Sequence, residues 1–206
     1  MQKTSWLMFI IVCALALLGA YQALIDQSAQ RAVIRYMALS GFFLLCMTLI
    51  IGPLAVLFPQ RFDAWVEPRR AVGLAAFVFI VLHLSLVMSL YFGWNFARVI
   101  ANTGLAVATP AVIILFALTA TSSDWAIKKI GFGKWKIIQE FNYAVFILVF
   151  AHFLIKASGP SVLPAGFPKW DWAELAMIGF GVATVVLQIA GFYARISRKK
   201  EPAPQA

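Results

Sequence analysis

The chain alternates long apolar stretches with short polar connections, and this pattern predicts a bundle of membrane-spanning helices. A helix needs about 20 apolar residues to cross the hydrocarbon core of a bilayer. Six stretches reach that length, and they cover about residues 6–25, 35–57, 72–92, 101–120, 138–157 and 173–194. We therefore expect an all-α integral membrane protein, a six-transmembrane-helix bundle forming one domain over residues 1–206. A disordered cytoplasmic tail is expected over 195–206.

The composition supports a membrane protein and argues against two other classes. The 206 residues are 63% hydrophobic and 12% charged, whereas a soluble domain is roughly half apolar with about twice that charge. Six spans leave no room for a flavin or nicotinamide domain within the same chain. The net charge of +9 does not indicate a nucleic-acid partner, because the Lys and Arg residues cluster beside the apolar stretches.

The basic residues set the expected orientation, since cytoplasmic loops carry an excess of Lys and Arg. Twelve of the 17 basic residues fall on the side of the two termini and of the loops after spans 2 and 4. We therefore expect both termini to be cytoplasmic, in the inner membrane of a bacterium. The first stretch is similar to a signal peptide, but its apolar run continues through residues 23–25, which favours a transmembrane helix.

His83 and His152 are the only histidines of the chain, and both lie inside apolar stretches. An ionisable side chain at membrane depth is costly, so it indicates a functional site. The two lie roughly 16 Å and 21 Å along their spans from the inner ends, at 1.5 Å per residue. Both can therefore reach one level toward the outer face. Neutral imidazole is a common axial ligand of haem iron, so the pair predicts one b-type haem between spans 3 and 5.

Other interpretations of the two histidines stay open. Each ring could form hydrogen bonds between helices or face a water-filled cavity, with no haem present. Transport of a metal ion is a weaker interpretation, because no carboxylate lies mid-membrane near either histidine.

Short motifs between about residues 35 and 157 resemble a known family. They are Gly52-Pro53-Leu54-Ala55, Arg69-Arg70-Ala71-Val72-Gly73-Leu74, Leu82-His83-Leu84, Ala117-Leu118-Thr119-Ala120-Thr121-Ser122, Gly133-Lys134-Trp135, Phe141-Asn142-Tyr143 and Ala151-His152-Phe153. With histidines on the third and fifth spans, the chain resembles the ferric-reductase-like transmembrane domain family. Within it, the likeness is greatest to MsrQ (YedZ), the haem-binding membrane subunits of periplasmic methionine sulfoxide reductase systems.

The chain departs from the family pattern in a way that implies one haem instead of two. In the family, span 5 usually carries a second histidine 13 residues before the position of His152, and here that position is Gln139. Thirteen residues are between three and four turns, so the two positions share a helix face and would serve two stacked haems. The matching region of span 3 holds Arg69 and Arg70 instead of histidine. The resemblance therefore implies that electrons enter from a quinol or a flavin.

Three further residues are candidate cofactor contacts. Lys156 lies one turn beyond His152 and would suit a haem propionate, although snorkelling to the interface explains it equally. Arg69 begins span 3 on the basic inner side, where the family can bind flavin mononucleotide or meet a flavin reductase. Positive-inside topology and anionic lipid contact explain Arg69 as well. Gln139 belongs to a polar cluster that marks either a quinone or flavin site or an ordinary helix start.

These features together predict a membrane cytochrome b that transfers electrons from quinol or a flavin to a periplasmic redox partner. The resemblance implies that the partner is a molybdopterin-dependent methionine sulfoxide reductase and that the donor is the quinone pool or a flavin reductase. One alternative is a reductase of ferric iron or another small acceptor that acts without a partner protein. Another is a haem-free structural or transport protein. Membrane lipid is an expected contact in every case.

Overall fold

A computed structural model of the chain describes residues 3–26, 29–157 and 172–200, and the regular structure of these residues is helical. The long helices are α1 (Lys3–Ile25), α2 (Gln30–Leu57), α4 (Arg69–Val87), α6 (Thr103–Ala120), α9 (Asn142–Ala157) and α10 (Trp172–Lys200). The short helices are α3 (Pro59–Phe62), α5 (Phe96–Ala101), α7 (Asp124–Ile130) and α8 (Phe132–Glu140). Helix α4 continues into a π-helical turn at Met88–Phe92, which ends at Gly93 in the left-handed conformation.

Five of the predicted spans are confirmed as helices long and apolar enough to cross a membrane. They are Gln30–Leu57, Arg69–Phe92, Thr103–Ala120, Phe132–Lys156 and Trp172–Arg198. The first helix, α1, contains the shorter apolar stretch Phe9–Gly19. The chain is therefore a multi-pass membrane protein, while the sixth span and the cytoplasmic position of the termini stay predictions.

Two helix boundaries differ from the expected ones for local physical reasons. The span expected from residue 138 begins earlier, at Phe132, and it is broken between α8 and α9 at Phe141. Helix α10 continues to Lys200, past the expected end at 194, because basic residues in a last turn interact favourably with the helix dipole. The first part of the predicted tail is therefore helical, and residues 201–206 lie outside the described residues.

Helix α2 is the centre of the bundle. It packs against α4 and α10 along their lengths and also touches α1 and α9, while α6 packs against α9. Small residues bring the helices together, as is typical where lipid gives no hydrophobic drive to helix association. A Cβ added at Gly41 would lie 2.9 Å from Ile80, and one at Gly191 would lie 2.9 Å from Pro53. These contacts let α4 and α10 pack closely against α2.

Candidate functional site

Helix α4 presents His83 to the backbone of α2. The Nδ1 atom of His83 lies 3.0 Å from the carbonyl oxygen of Ile34. A carbonyl oxygen can only accept a hydrogen bond, so Nδ1 carries the proton and donates it. In the neutral ring, Nε2 is then unprotonated, and its lone pair is available to a metal. The contact therefore fixes both the tautomer and the orientation of this imidazole.

Helix α9 presents His152 to α6 in the same way. The Nδ1 atom of His152 lies 2.7 Å from the carbonyl oxygen of Gly104. The same reasoning assigns the proton to Nδ1, so the lone pair of Nε2 is available to a metal in this ring as well. Both histidine rings are half-buried. Each ring is thus held by the backbone of a neighbouring helix, and within the described part of the chain Nε2 of each ring has no hydrogen-bond partner.

The two histidines lie at the same end of the bundle. Ile34 and Gly104, which supply the accepting carbonyls, lie within the first two turns of α2 and α6. Consecutive spans run in opposite directions, so α2 and α6 both begin on the same side of the membrane. We call this side of the bundle the histidine end, and the opposite side, where α4 begins with Arg69, the arginine end.

A stacked cluster of phenylalanines extends from the level of His152 toward the arginine end. Phe42 of α2 stacks on three rings of α9, with centroid separations of 6.1 Å to Phe146, 5.7 Å to Phe150 and 5.5 Å to Phe153. The α9 positions are four and three residues apart, so they share one helix face. Phe42 carries no sequence signal that distinguishes it from the other aromatic residues of the chain.

Lys156 lies at the histidine end, one turn beyond His152 on α9. Its Nζ atom donates to Oδ1 of Asn102 at 3.0 Å, and Asn102 also caps the start of α6. The aliphatic stem crosses Gly104 so closely that a Cβ there would lie 2.8 Å from Cε of Lys156. The lysine and His152 therefore both depend on the close approach of α6 and α9 at Gly104. A contact between Lys156 and a haem propionate stays a prediction.

Gln139 lies at the arginine end. Its hydrogen bonds within the described residues go to α6 and its end, and none goes to a histidine. Its Nε2 atom is 3.3 Å from the carbonyl oxygen of Leu118 and 3.2 Å from Oγ1 of Thr121. The last carbonyls of a helix have no donor within that helix. The amide of Gln139 therefore stabilises the end of α6, from the position where the family usually carries a second histidine. Its prediction as a cofactor contact is untested.

Arg69 also lies at the arginine end, away from the two histidines. It is 14 residues before His83 on α4, which corresponds to roughly 21 Å along the helix axis. Its Nη1 atom lies against α2, where a Cβ added to Gly52 would stand 3.1 Å away. The structure therefore separates the predicted site residues into two groups, with His83, His152 and Lys156 at one end and Arg69 and Gln139 at the other.

Arg70 is a structural residue that the sequence pattern did not distinguish from its neighbour. Its guanidinium binds the carboxylate of Asp124 and the carbonyl oxygen of Ser122, and thereby joins α4 to the end of α6 and the start of α7. The hydrogen bond and the positive charge of Arg70 hold the pKa of Asp124 below its usual value of 3.8. The paired arginines at the start of span 3 thus have different contacts.

Comparison with known proteins identifies the family to which the chain belongs. The family model described as ferric reductase like transmembrane component matches residues 37–150, more than half of the chain. A relative from Enterobacter sp. (strain 638), named protein-methionine-sulfoxide reductase heme-binding subunit MsrQ, is 35% identical over 142 residues, 63% of this chain and 70% of the relative. No solved structure gives a significant match.

Two further relatives carry the same name. The protein from Agrobacterium fabrum is 27% identical over 58% of this chain and 56% of its own length. The protein from Rhizobium meliloti is 26% identical over 75% of this chain and 74% of its own length. The chain thus spans between about half and three quarters of these relatives, and the family match includes His83 but ends before His152. The chain belongs to the ferric reductase like transmembrane family, as the motifs of its sequence predict.

Proposed function

We propose that this protein is a haem-binding electron-transfer subunit in which Nε2 of His83 and Nε2 of His152 would together hold one b-type haem. The observation that carries the proposal is the shared geometry of the two rings. Each Nδ1 donates to a backbone carbonyl, at 3.0 Å and 2.7 Å, and neither Nε2 has a hydrogen-bond partner among the residues that the structure describes. Metal-binding histidines are typically oriented by such a hydrogen bond from the other ring nitrogen.

The donor set suits a haem better than a bare metal ion. A structural or catalytic metal site usually needs three or four protein ligands. Among the described residues, no three His, Cys, Asp or Glu side chains come together to hold an ion. A haem needs protein ligands only at the axial positions of its iron, because the porphyrin occupies the others. Two imidazoles on helices that do not pack extensively against each other fit that requirement.

The haem would be held without a covalent bond to the chain. Covalent attachment of a c-type haem uses a Cys-x-x-Cys-His motif. The two cysteines, Cys13 and Cys46, are far apart in the sequence, and neither is near a histidine along the chain. The apolar wall of stacked phenylalanines on α9 offers the kind of surface that a porphyrin contacts. These features support haem b.

The family and the relatives' names support a role in electron transfer. When bound, a haem supplies reversible one-electron chemistry, and the protein sets its position and surroundings. The relatives are named as heme-binding subunits of a protein-methionine-sulfoxide reductase. We infer that the acceptor of this chain is such a reductase in the periplasm and that the chain lies in the bacterial inner membrane. The excess of basic residues at the arginine end supports placing the histidine end outside.

The electron donor is proposed to be a membrane quinol or a reduced flavin. With Gln139 joined to the end of α6, the arginine end offers no histidine pair for a second haem. Electrons from the cytoplasmic side would therefore need another carrier to reach the histidine end. A quinol can diffuse within the bilayer, and the basic arginine end suits the phosphate of a flavin nucleotide.

Reconstitution in liposomes tests the proposed electron donor and the proposed electron acceptor separately. The protein would be placed in liposomes with a quinol pool or with internal reduced flavin, and reduction of an external methionine sulfoxide reductase would be followed. Its His152→Ala variant is the control for transfer that bypasses the site. We expect donor-dependent reduction of the partner by the native protein only. Equal rates in the variant would contradict the proposal, and rapid reduction of external ferric citrate without the partner would favour the direct-reductase alternative.

A further inference from the structure

Two hydrogen bonds join the start of α6 to α9 at neighbouring points. Nζ of Lys156 on α9 donates at 3.0 Å to Oδ1 of Asn102, which is the N-cap of α6. Two residues further along the chain, the carbonyl oxygen of Gly104 accepts from Nδ1 of His152 at 2.7 Å. Lys156 and His152 are four residues apart, so they share one face of α9. Asn102 and Gly104 therefore hold the same face of α9.

The side chain of Asn102 is oriented by two donors. Its Oδ1 accepts from Nζ of Lys156 and also from the backbone N–H of Leu105, at 3.3 Å. An ammonium group and a backbone N–H can only donate, so Asn102 presents its carbonyl oxygen to both of them. An N-cap needs only to accept from its own helix. The bond to Lys156 is additional to that role, and it ties the cap to another helix.

The cap determines where the carbonyl of Gly104 lies. Besides the side-chain bond, the backbone carbonyl of Asn102 accepts from the N–H of Ala106 at 2.8 Å. Gly104 lies inside the turn that these bonds close, and it is buried. The first N–H groups of a helix have no partner within that helix, and helix ends fray. Loss of the cap would therefore loosen this turn and displace the acceptor of the His152 bond.

The position of this carbonyl decides which nitrogen of His152 keeps a lone pair. A neutral imidazole carries one proton, and the bond to Gly104 holds that proton on Nδ1. Such a partner orients a metal-binding histidine and raises its basicity. Without the bond, the proton is free to move to Nε2, which then cannot bind iron. Asn102 therefore acts on the imidazole through the backbone of α6.

Asn95 is a second asparagine N-cap, and it allows the capping role to be tested separately. Its Oδ1 accepts from the backbone N–H of Arg98 at 3.1 Å and caps α5, seven residues before Asn102. Within the described residues, its side-chain hydrogen bond stays inside α5 and does not reach α9. A difference between variants of the two asparagines therefore reports the link to α9 and not capping in general.

We propose that Asn102 is a positioning residue, which fixes the start of α6 against α9 and thereby keeps the proton of His152 on Nδ1. The inference rests on the proposed function, because it takes Nε2 of His152 as a contact of the haem iron. Asn102 does not itself contact the haem in this arrangement. Haem affinity then depends on a residue that the iron never meets.

Nitrogen NMR of the haem-free protein tests the link without a cofactor. The chain has only two histidines, so isotope-labelled histidine gives the signals of two rings, which His152→Ala assigns. We expect both native rings to carry the proton on Nδ1. In Asn102→Ala, the ring of His152 should become a mixture of tautomers, while His83, which is bonded to α2, should be unchanged. Asn102→Asp keeps an acceptor for both donors and should restore the native signal, and Asn95→Ala should change neither ring.

Haem titration of the same variants measures the consequence. Loss of such an outer contact typically costs about 10- to 100-fold in metal affinity. We expect about a tenfold weaker haem affinity in Asn102→Ala, near-native affinity in Asn102→Asp and no change in Asn95→Ala. Unchanged tautomer and affinity in Asn102→Ala would overturn the inference, as would equal losses in Asn95→Ala.

The two readouts separate this inference from the proposed function. Native protein that binds no haem would contradict the function, and the nitrogen signals would still decide whether Asn102 controls the tautomer of His152. If Asn102→Ala does not fold, Asn102→Ser takes its place. Serine keeps a capping oxygen but is too short to reach Lys156, so a smaller shift of the same kind is expected.

Discussion

The imidazole of His152 donates a hydrogen bond from Nδ1 to the backbone carbonyl of Gly104, with the two atoms 2.7 Å apart. This contact is possible because Gly104 has no side chain, which lets α6 approach α9 beneath the stem of Lys156. The orientation of a proposed axial ligand thus depends on a glycine of another helix.

Gly104→Ala should therefore disturb the histidine without changing any side chain that could bind iron. The new Cβ would lie 2.8 Å from Cε of Lys156, so the flexible lysine stem must move, whereas the 3.5 Å to Cγ2 of Ile155 is an ordinary contact. Moving the stem would weaken the hydrogen bond of Lys156 to Asn102 beside His152, at a cost of about 1 kcal/mol. We expect weaker haem retention and a lower free energy of unfolding. Gly179→Ala is the matched control, because a Cβ there meets nothing within 4 Å; equal effects of the two substitutions would contradict this explanation.

Lys156→Gln should lower the midpoint potential of the haem. A positive charge near a haem stabilises the reduced state, so its removal favours oxidation. Lys156→Arg should retain most of the native potential, and Lys136→Gln, at the arginine end, should leave it unchanged. A spectroelectrochemical titration measures all three. Identical potentials in Lys156→Gln and the native protein would contradict a position of Lys156 near the haem. The role of Lys156 would then be its hydrogen bond to Asn102.

Gln188→Leu should destabilise the bundle by about 1 kcal/mol, since it leaves the carbonyl of Leu49 without a donor. The cost should largely vanish in a Pro53→Ala background, because alanine at 53 supplies the missing helical N–H. Detergent denaturation of the two single variants, the double variant and the native protein gives the coupling energy. Additive effects in this cycle would show that Gln188 stabilises α10 by some other contact.

The contact between Arg70 and Asp124 should make the joint of α4, α6 and α7 sensitive to acid. Because the folded-state pKa of Asp124 lies below its usual value of 3.8, the carboxylate contributes stability that is fully present above that value. The contribution is lost as the pH falls through the folded-state pKa. Unfolding of the native protein and of Asp124→Asn would be compared between pH 6 and pH 2. Their difference should be constant above about pH 4 and shrink below it; a constant difference throughout would contradict the prediction.

The sequence predicted the spans well because apolar length is a strong signal in a membrane protein. Five predicted stretches correspond to helices of spanning length, and both histidines lie on the spans to which they were assigned. The break at Phe141 and the extension of α10 to Lys200 were not predicted, since helix ends depend on local contacts that periodicity does not contain.

The contacts that define the site were harder to predict, because they join residues far apart in the chain. Nothing near His83 in the sequence indicates that its partner is the carbonyl of Ile34 on another helix. The different contacts of Arg69 and Arg70 depend on how α4 meets α2 and α7. Pro53 was the one available signal for Gln188, because a proline inside a membrane helix leaves a carbonyl that needs a donor from elsewhere.

The central claim is that His83 and His152 bind one haem between them. The most direct measurement is the reduced-minus-oxidised visible spectrum of the purified protein with haem quantified per chain, repeated for His83→Ala, His152→Ala and the control Gln139→Ala. The account predicts a low-spin b-type spectrum with about one haem per chain, lost in both histidine variants and kept in the control. Native protein without haem from a host that supplies it, or a spectrum unchanged in either histidine variant, would contradict the account.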